Sequence, residues 1–211
     1  MKFSPKFIVF EGIDGAGKST QIKLLRDALS IRGIECELTC EPTDFESGKR
    51  LREVLSGKVK KTQRELAEMF AFDRVVHNIN EDRGINKLLA DGKTVISDRY
   101  YYSSLAYQGA ELGFDTVARL NLDDPNIRTP DLCIFLDLSP EDSLERISSR
   151  QDVQKEIFEN YEVLSRTRKM FFDVFERLEA GGENIVVINA SGSIEEIAEK
   201  ILNTVTEKLY S

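Results

Sequence analysis

Hydrophobic positions in this chain follow two alternating patterns. Short apolar runs at Phe7-Ile8-Val9-Phe10, Thr94-Val95-Ile96-Ser97, Leu132 to Leu136 and Ile185-Val186-Val187-Ile188 have the length and side-chain type of buried strands. One segment differs. Ile34, Cys36, Leu38 and Cys40 alternate with Glu35, Glu37 and Thr39, which predicts a strand with one wetter face towards a sheet edge. Helical stripes lie between the strands. Ile22, Leu25, Ala28 and Leu29 form one, and a short helix is expected from about Gly48 to Leu55, ended by Gly57. A long helical region, Thr62 to Leu89, carries Leu66, Met69, Phe70, Val76, Ile79, Leu88 and Leu89, with Gly84 as a bend or boundary. Further helices are predicted over Tyr102 to Leu112, Asp115 to Leu122, Pro140 to Ser149 with Ser139 as cap, and Glu156 to Leu178. Ile194, Ile197, Ala198, Ile201, Leu202, Val205 and Leu209 give the last stripe.

Strands that alternate with helices and are mostly apolar throughout imply a parallel sheet covered on both faces, an α/β three-layer sandwich of five strands. Ligands bind at the carboxyl ends of such strands. Asp14, Glu41, Asp98, Asp137 and Asn189 each follow a strand and are expected along that edge.

The chemistry is concentrated after the first strand. Gly12-Ile13-Asp14-Gly15-Ala16-Gly17-Lys18-Ser19-Thr20 fits G-x-x-x-x-G-K-[ST], and it stands between a buried strand and a helical stripe as the mechanism requires. The glycines let the backbone turn so that its N–H groups face one concavity, and the helix start adds its positive dipole end. Lys18 is placed for the β- and γ-phosphates and the Ser19 hydroxyl for Mg²⁺. The expected fold is therefore of the P-loop NTPase type.

Composition narrows the reading. A chain of 211 residues suits one domain spanning 1–211, with a mobile lid expected at about 146–157. No apolar run approaches the ~20 residues of a membrane span, and the first residues lead straight into a strand, so neither membrane anchoring nor a signal peptide is expected. The net charge of −8 argues against broad nucleic-acid binding and requires locally clustered cations for an anionic substrate. Cys36, Cys40 and Cys133, odd in number and inside strands, read as reduced core residues of a cytoplasmic protein.

Several residues admit two readings from spacing alone. Asp98 and Asp137 both follow a strand and compete for the carboxylate near Mg²⁺; Arg99 beside Asp98 favours the first. Phe70 and Arg74 share a helix face, where a ring and a guanidinium suit a planar anionic ligand, but a core Phe beside a solvated Arg is the commoner case. Tyr100, Tyr101, Tyr102 and Tyr107 are read first as packing. Arg146 and Arg150 lead into the polar segment Arg150 to Lys155, either as a solvated face or as cations that close over a transferring phosphoryl group. His77, the single histidine, receives no role.

Taken in order, these motifs resemble the thymidylate kinase family from about Lys6 to Leu209. The resemblance rests on Glu11 to Thr20, Glu41-Pro42, Phe70-x-x-x-Arg74, Asp98-Arg99-Tyr100, Tyr107-Gln108-Gly109, Leu136 to Glu141 and Asn189-Ala190-Ser191. It implies that ATP binds at Gly12 to Thr20, with its base near Asn189 to Ser191, and that Mg²⁺ is held through Ser19 and Asp98. It also implies a dTMP site made of Asp14, Glu41, Phe70, Arg74, Arg99, Ser104, Tyr107 and Gln108. In that site Phe70 stacks on the base, Arg74 and Gln108 read its edge, Arg99 holds the acceptor phosphate and Tyr107 presses on the sugar. Asp14 orients the sugar hydroxyl or phosphate. A homodimer is implied too. The phosphate loop carries no basic residue between Gly12 and Gly17, so the catalytic cation is expected from the lid, Arg150 first and Arg146 second. Asn189 stands where an acidic residue is often found. A deoxynucleoside kinase and a nucleotide-dependent switch are the alternatives.

Overall fold

In the computed structural model, residues 4–149 and 160–211 are described. The strands are β1 (Phe7–Glu11), β2 (Cys36–Cys40), β3 (Thr94–Asp98), β4 (Leu132–Asp137) and β5 (Ile185–Asn189). The helices are α1 (Lys18–Ile31), α2 (Glu46–Leu55), α3 (Gln63–Ile79), α4 (Ile85–Ala90), α5 (Tyr101–Tyr107), α6 (Gly109–Leu112), α7 (Phe114–Asn121), α8 (Pro140–Ser148), α9 (Tyr161–Ala180) and α10 (Ile194–Leu209). The sheet is all parallel in the order β2-β3-β1-β4-β5.

Side-chain alternation explains the apolar runs. On β1, Phe7 and Val9 join a core shared with Tyr100, Phe135, Phe171 and Phe175, while Ile8 and Phe10 join one shared with Leu25, Ile96, Ile134 and Ile201. Each face of the sheet thus buries its own helix layer, which is why the central strands tolerate no polar side. β2 is an edge strand, as its pattern predicts. β5 is the other edge, and its Val187 is 45% exposed, so the run that reads as fully buried is covered incompletely.

Local chemistry sets the helix ends. Thr62 and Glu65 form a capping box on α3, Ser193 and Glu196 one on α10, Ser139 caps α8, and Asn160 caps α9. The long region from Thr62 to Leu89 is two helices. Asn80 leaves helical geometry, its Oδ1 accepts from the backbone N–H groups of Asp82 and Arg83, and Gly84 caps α4. The region Tyr102 to Leu112 likewise divides at Gln108. Ile194 opens α10 but stays exposed outside its buried stripe. The cysteines divide too: Cys133 is buried, Cys36 half-buried and Cys40 exposed, so Cys40 is not a core residue. It ends an edge strand, where one neighbour is missing.

Sheet order positions the site. β1 lies between β3 and β4, and the chain leaves it in one direction towards β2 and β3 and in the other towards β4 and β5. Loops after β1, β2 and β3 therefore gather side by side at the carboxyl edge, the crevice where such folds bind ligands. Backbone bonds carry the sheet into these loops: Arg99 N–H donates to Phe10 O at 2.9 Å and Glu41 N–H to Asp98 O at 3.0 Å.

Candidate active site

The phosphate loop has the geometry its glycines predict. A Cβ on Gly12 (φ 148°) would stand 2.8 Å from Leu136 O, and one on Gly15 (φ 83°) would stand 2.9 Å from Ser143 O. The loop is wedged between the exit of β4 and the side of α8, where only glycine backbone fits. Ser143 Oγ also donates to Asp14 O. Lys18 at the start of α1 is buried, and its Nζ donates to Gly12 O at 3.0 Å and Ile13 O at 3.3 Å. Burial lowers its pKa, and the Arg99 charge acts in the same direction.

The two rival aspartates have different partners. Asp98 accepts a hydrogen bond from Ser19 Oγ at 3.0 Å, joining β3 to the phosphate loop. Asp137 is gripped by Arg168, Nε to Oδ1 at 2.6 Å and Nη2 to Oδ2 at 2.8 Å. Asp98 is thus the carboxylate at the loop. Among the described residues no group of three or more His, Cys, Asp or Glu is placed to hold a metal. A hydroxyl and one carboxylate suit a small hard cation that takes its remaining ligands from water and phosphate oxygens, as Mg²⁺ does.

Arg99 is held in a conformation rare for a side-chain-bearing residue, with φ at 72°. Its N–H is tied to Phe10 O, and its carbonyl accepts from Ser97 Oγ at 2.8 Å, so the surrounding structure determines it from both sides. The side chain pairs closely with Asp14 and donates to Ser103 Oγ at 3.1 Å and Gly12 O at 3.4 Å. It also lies over the Tyr107 ring, 5.8 Å from its centre, and burial pushes the Tyr107 hydroxyl up to about 12. Beneath stands Glu11, fully buried, accepting from Tyr100 N–H at 2.9 Å, Ser103 N–H at 3.1 Å and Ser103 Oγ at 2.7 Å. Burial raises its pKa against the nearby Arg99 charge. Glu11 therefore pins the first turn of α5 and the turn that carries Arg99.

A cleft of about 310 Å³ opens over these groups, lined among others by Lys18, Ser19, Glu41, Arg52, Asp98 and Arg99. Arg52, on α2, is a cation that the sequence pattern does not single out; it donates to the carbonyls of Pro42 and Thr43. Its i, i+4 neighbours on a short amphipathic helix carry no sign of a site.

The second part of the site is a buried polar wall. Arg74 on α3 is 1% exposed. Its Nε and Nη2 donate to Glu41 Oε2 at 2.9 and 2.6 Å, Nη2 also to Ser104 Oγ at 3.2 Å, and Nη1 to Asn121 Oδ1. Beside it, Asp73 accepts from Thr43 N–H at 2.8 Å, Thr43 Oγ1 at 2.6 Å and Ser47 Oγ at 2.6 Å. Arg74 and Asp73 are therefore buried and paired, not a solvated face. Phe70, one turn before Arg74, is half-buried, and Gln108 is buried at the end of α5. His77 is buried in the same wall.

The remaining expected residues spread along the edge. Arg146 on α8 is half-buried; its Nη2 donates to Ala190 O at 2.8 Å, and its Nη1 lies 4.0 Å from where a Cβ on Gly17 would be. It thus reaches from the phosphate loop to the loop after β5. Asn189 Oδ1 closes that loop by accepting from Ser191 N–H at 2.8 Å and Ser191 Oγ at 2.6 Å. Ile13 and Ala16 are buried under the phosphate loop, and Thr20 lines the cleft. Arg150 and most of the expected lid lie outside the described residues.

The chain is similar to known proteins of one family. A family model described as thymidylate kinase matches residues 10–201. A protein of Methanococcus aeolicus named "Probable thymidylate kinase" is 42% identical over 206 residues, covering 96% of this chain and 97% of that protein. "Thymidylate kinase" of Leptospira borgpetersenii serovar Hardjo-bovis is 42% identical over 168 residues, covering 79% and 80%. "Thymidylate kinase" of Desulfotalea psychrophila is 37% identical over 206 residues, covering 97% and 96%.

Proposed function

Since the chain belongs to the thymidylate kinase family, we infer that it is an ATP-dependent nucleoside monophosphate kinase that moves the γ-phosphoryl group of ATP to dTMP, giving dTDP and ADP for dTTP biosynthesis. The observation that supports this most is the meeting of Arg99, Lys18 and the Ser19–Asp98 pair in one cleft beside the buried Arg74 wall. A phosphate-loop switch has no use for an acceptor site beside its loop, and a nucleoside kinase has no use for Arg99 as a phosphate clamp.

An oxygen of the dTMP phosphate bonds to the γ-phosphorus while the bond to the bridging oxygen breaks, leaving ADP. Such a transfer needs positioning and charge neutralisation rather than histidine acid–base chemistry. Lys18 and the N–H groups that open α1 hold the donor phosphates, with the ATP base near Asn189 to Ser191. Ser19 and Asp98 would hold Mg²⁺, which when bound neutralises charge on the donor phosphates. Arg99 takes the acceptor phosphate, and Asp14, its partner, orients the phosphate or sugar hydroxyl. Phe70 stacks on the base, Arg74 and Gln108 read its edge with Ser104 and Glu41 behind them, and Tyr107 packs on the sugar. Arg150 supplies the cation for the transferring group, with Arg146 second. Among the described residues no helix is long and apolar enough to cross a membrane, and a cytoplasmic homodimer belongs to the same proposal.

The test is ADP production from Mg·ATP with dTMP, dUMP, dCMP, thymidine or no acceptor. ADP formed mainly with dTMP supports the reading. Turnover with thymidine but not dTMP would move the chain to nucleoside kinases, and equal rates without acceptor would favour the switch.

A further inference from the structure

His77 sits on α3 three residues after Arg74, so the two side chains share a helix face. It is 1% exposed, and both ring nitrogens have partners. Nδ1 lies 3.0 Å from Glu41 Oε1, and Nε2 lies 2.6 Å from Thr39 Oγ1. Glu41 is buried as well, at 6% exposure. A carboxylate facing a guanidinium only accepts, so its contact with Nδ1 is a hydrogen bond donated by Nδ1–H, while the Thr39 hydroxyl partners Nε2.

Glu41 divides its two oxygens. Oε2 receives both Arg74 bonds, and Oε1 is turned to His77. An Arg–carboxylate pair left to itself prefers the fork, one N–H to each oxygen. Here the imidazole occupies the oxygen that a fork would use. The guanidinium is therefore displaced along Oε2, where Nη2 also reaches Ser104 and Nη1 reaches Asn121. Thr39 lies in β2 and Glu41 just after it, so the imidazole links the edge strand to the helix that carries Arg74.

We propose that His77 is a positioning residue for acceptor recognition: by holding Glu41 Oε1, it fixes the carboxylate rotation that aims Arg74. The proposal rests on the reading of Arg74 as a contact to the acceptor. Without the Nδ1–H donor, Oε1 is buried and unpaired, and the carboxylate turns towards the fork, carrying the guanidinium with it. The effect should fall on acceptor binding and spare the phosphate loop, because Glu41 reaches Asp98 only through its backbone, N–H to Asp98 O at 3.0 Å, a bond that rotation of the carboxylate leaves in place, and His77 shares no side-chain partner with Lys18, Ser19 or Asp98.

The experiment compares His77→Phe, which keeps ring volume without a donor, with His77→Asn, whose amide N–H stands where Nδ1–H does. For His77→Phe we expect KM for the acceptor to rise about tenfold, with kcat and KM for ATP within about twofold, as for loss of one hydrogen bond to a charged group. His77→Asn should restore most of that KM. An unchanged acceptor KM in a folded His77→Phe protein overturns the proposal, as does a parallel loss of kcat and both KM values that His77→Asn does not rescue. If His77→Phe does not fold, His77→Asn is compared with His77→Gln, whose amide reaches towards Thr39 instead; equal acceptor KM values overturn the proposal. Wild-type turnover of dTMP against the nucleotide panel tests the function reading separately. The variant ratios are taken on whichever monophosphate the wild type uses, so the two failures are distinct.

Discussion

Cations at the phosphate loop and in the buried polar wall around Arg74 are held in opposite ways. Lys18 donates to two backbone carbonyls, and Arg99 to a carbonyl, a hydroxyl and the Asp14 carboxylate, whose side chain is 28% exposed. Arg74 is enclosed by Glu41, Ser104 and Asn121 with almost no exposure. A cation that donates to a neutral carbonyl gains no ion pairing from it, so an anionic oxygen in that place adds Coulomb attraction. Lys18 can therefore exchange its carbonyl partners for an anionic oxygen, and the partly exposed Arg99–Asp14 pair opens more easily than a buried one. The wall cation cannot do so cheaply, since breaking one side of a buried pair costs about 3–5 kcal/mol. One region holds its cations through partners that are readily replaced, and the other through partners that are not.

That contrast can be broken by substitution. The largest effect is expected from Arg150→Ala, a fall in kcat of about 10³-fold with little change in melting temperature, as for an arginine that stabilises charge in the transition state. Undiminished turnover would pass the role to Arg146. Next comes the wall: Arg74→Met should cost about 3 kcal/mol of stability in denaturant titration, because Glu41 loses its guanidinium. A loss below about 1 kcal/mol would mean that the pair is not dedicated and that the contrast fails. Arg99→Ala should lower kcat about 10²-fold while the protein stays folded, since its closest pair, with Asp14, is partly exposed and buried Glu11 keeps its bonds from Tyr100 and Ser103. If it unfolds the protein instead, Arg99 belongs with the wall.

The smallest effect lies outside both regions. Hydrogen bonds from Lys61, then from Thr62, hold the Glu65 carboxyl at about 2 in the α3 capping box. Its folded pKa is below the ordinary 4.5, so its contribution to stability is present above about pH 4.5 and is lost as pH falls towards about 2. Glu65→Gln should flatten the acid side of the stability curve over that window and leave kcat unchanged. An acid limb as steep as wild type would show that the cap does not contribute.

Much of this was legible in the sequence because the signals are local. Gly12 to Thr20 specifies its own turn, and the apolar runs at Phe7, Thr94 and Leu132 specify buried strands. Ser139 announces a helix start through a contact three residues away. Less legible was anything that depends on which neighbour arrives. The break at Asn80 is a side chain capturing backbone N–H groups within an otherwise helical pattern. Val187 reads as core, yet β5 ends the sheet and leaves it exposed. Arg52 and Asp73 look like ordinary surface charges until the loop after β2 folds onto them.

The sequence by itself determined the alternation of strands and helices, the phosphate loop and the set of polar residues at the strand exits, because these follow from backbone preferences and spacings of a few residues. Only the tertiary structure decided how those polar residues are shared out. Strand order β2-β3-β1-β4-β5 brings Asp98 to Ser19, Arg99 to Asp14 and Glu41 to Arg74, and leaves Asp137 to Arg168. Those partners are 79, 85, 33 and 31 residues apart. At such separations the chain encodes no preference of its own, and the choice falls to packing of the sheet and to the cost of burying a charge unpaired.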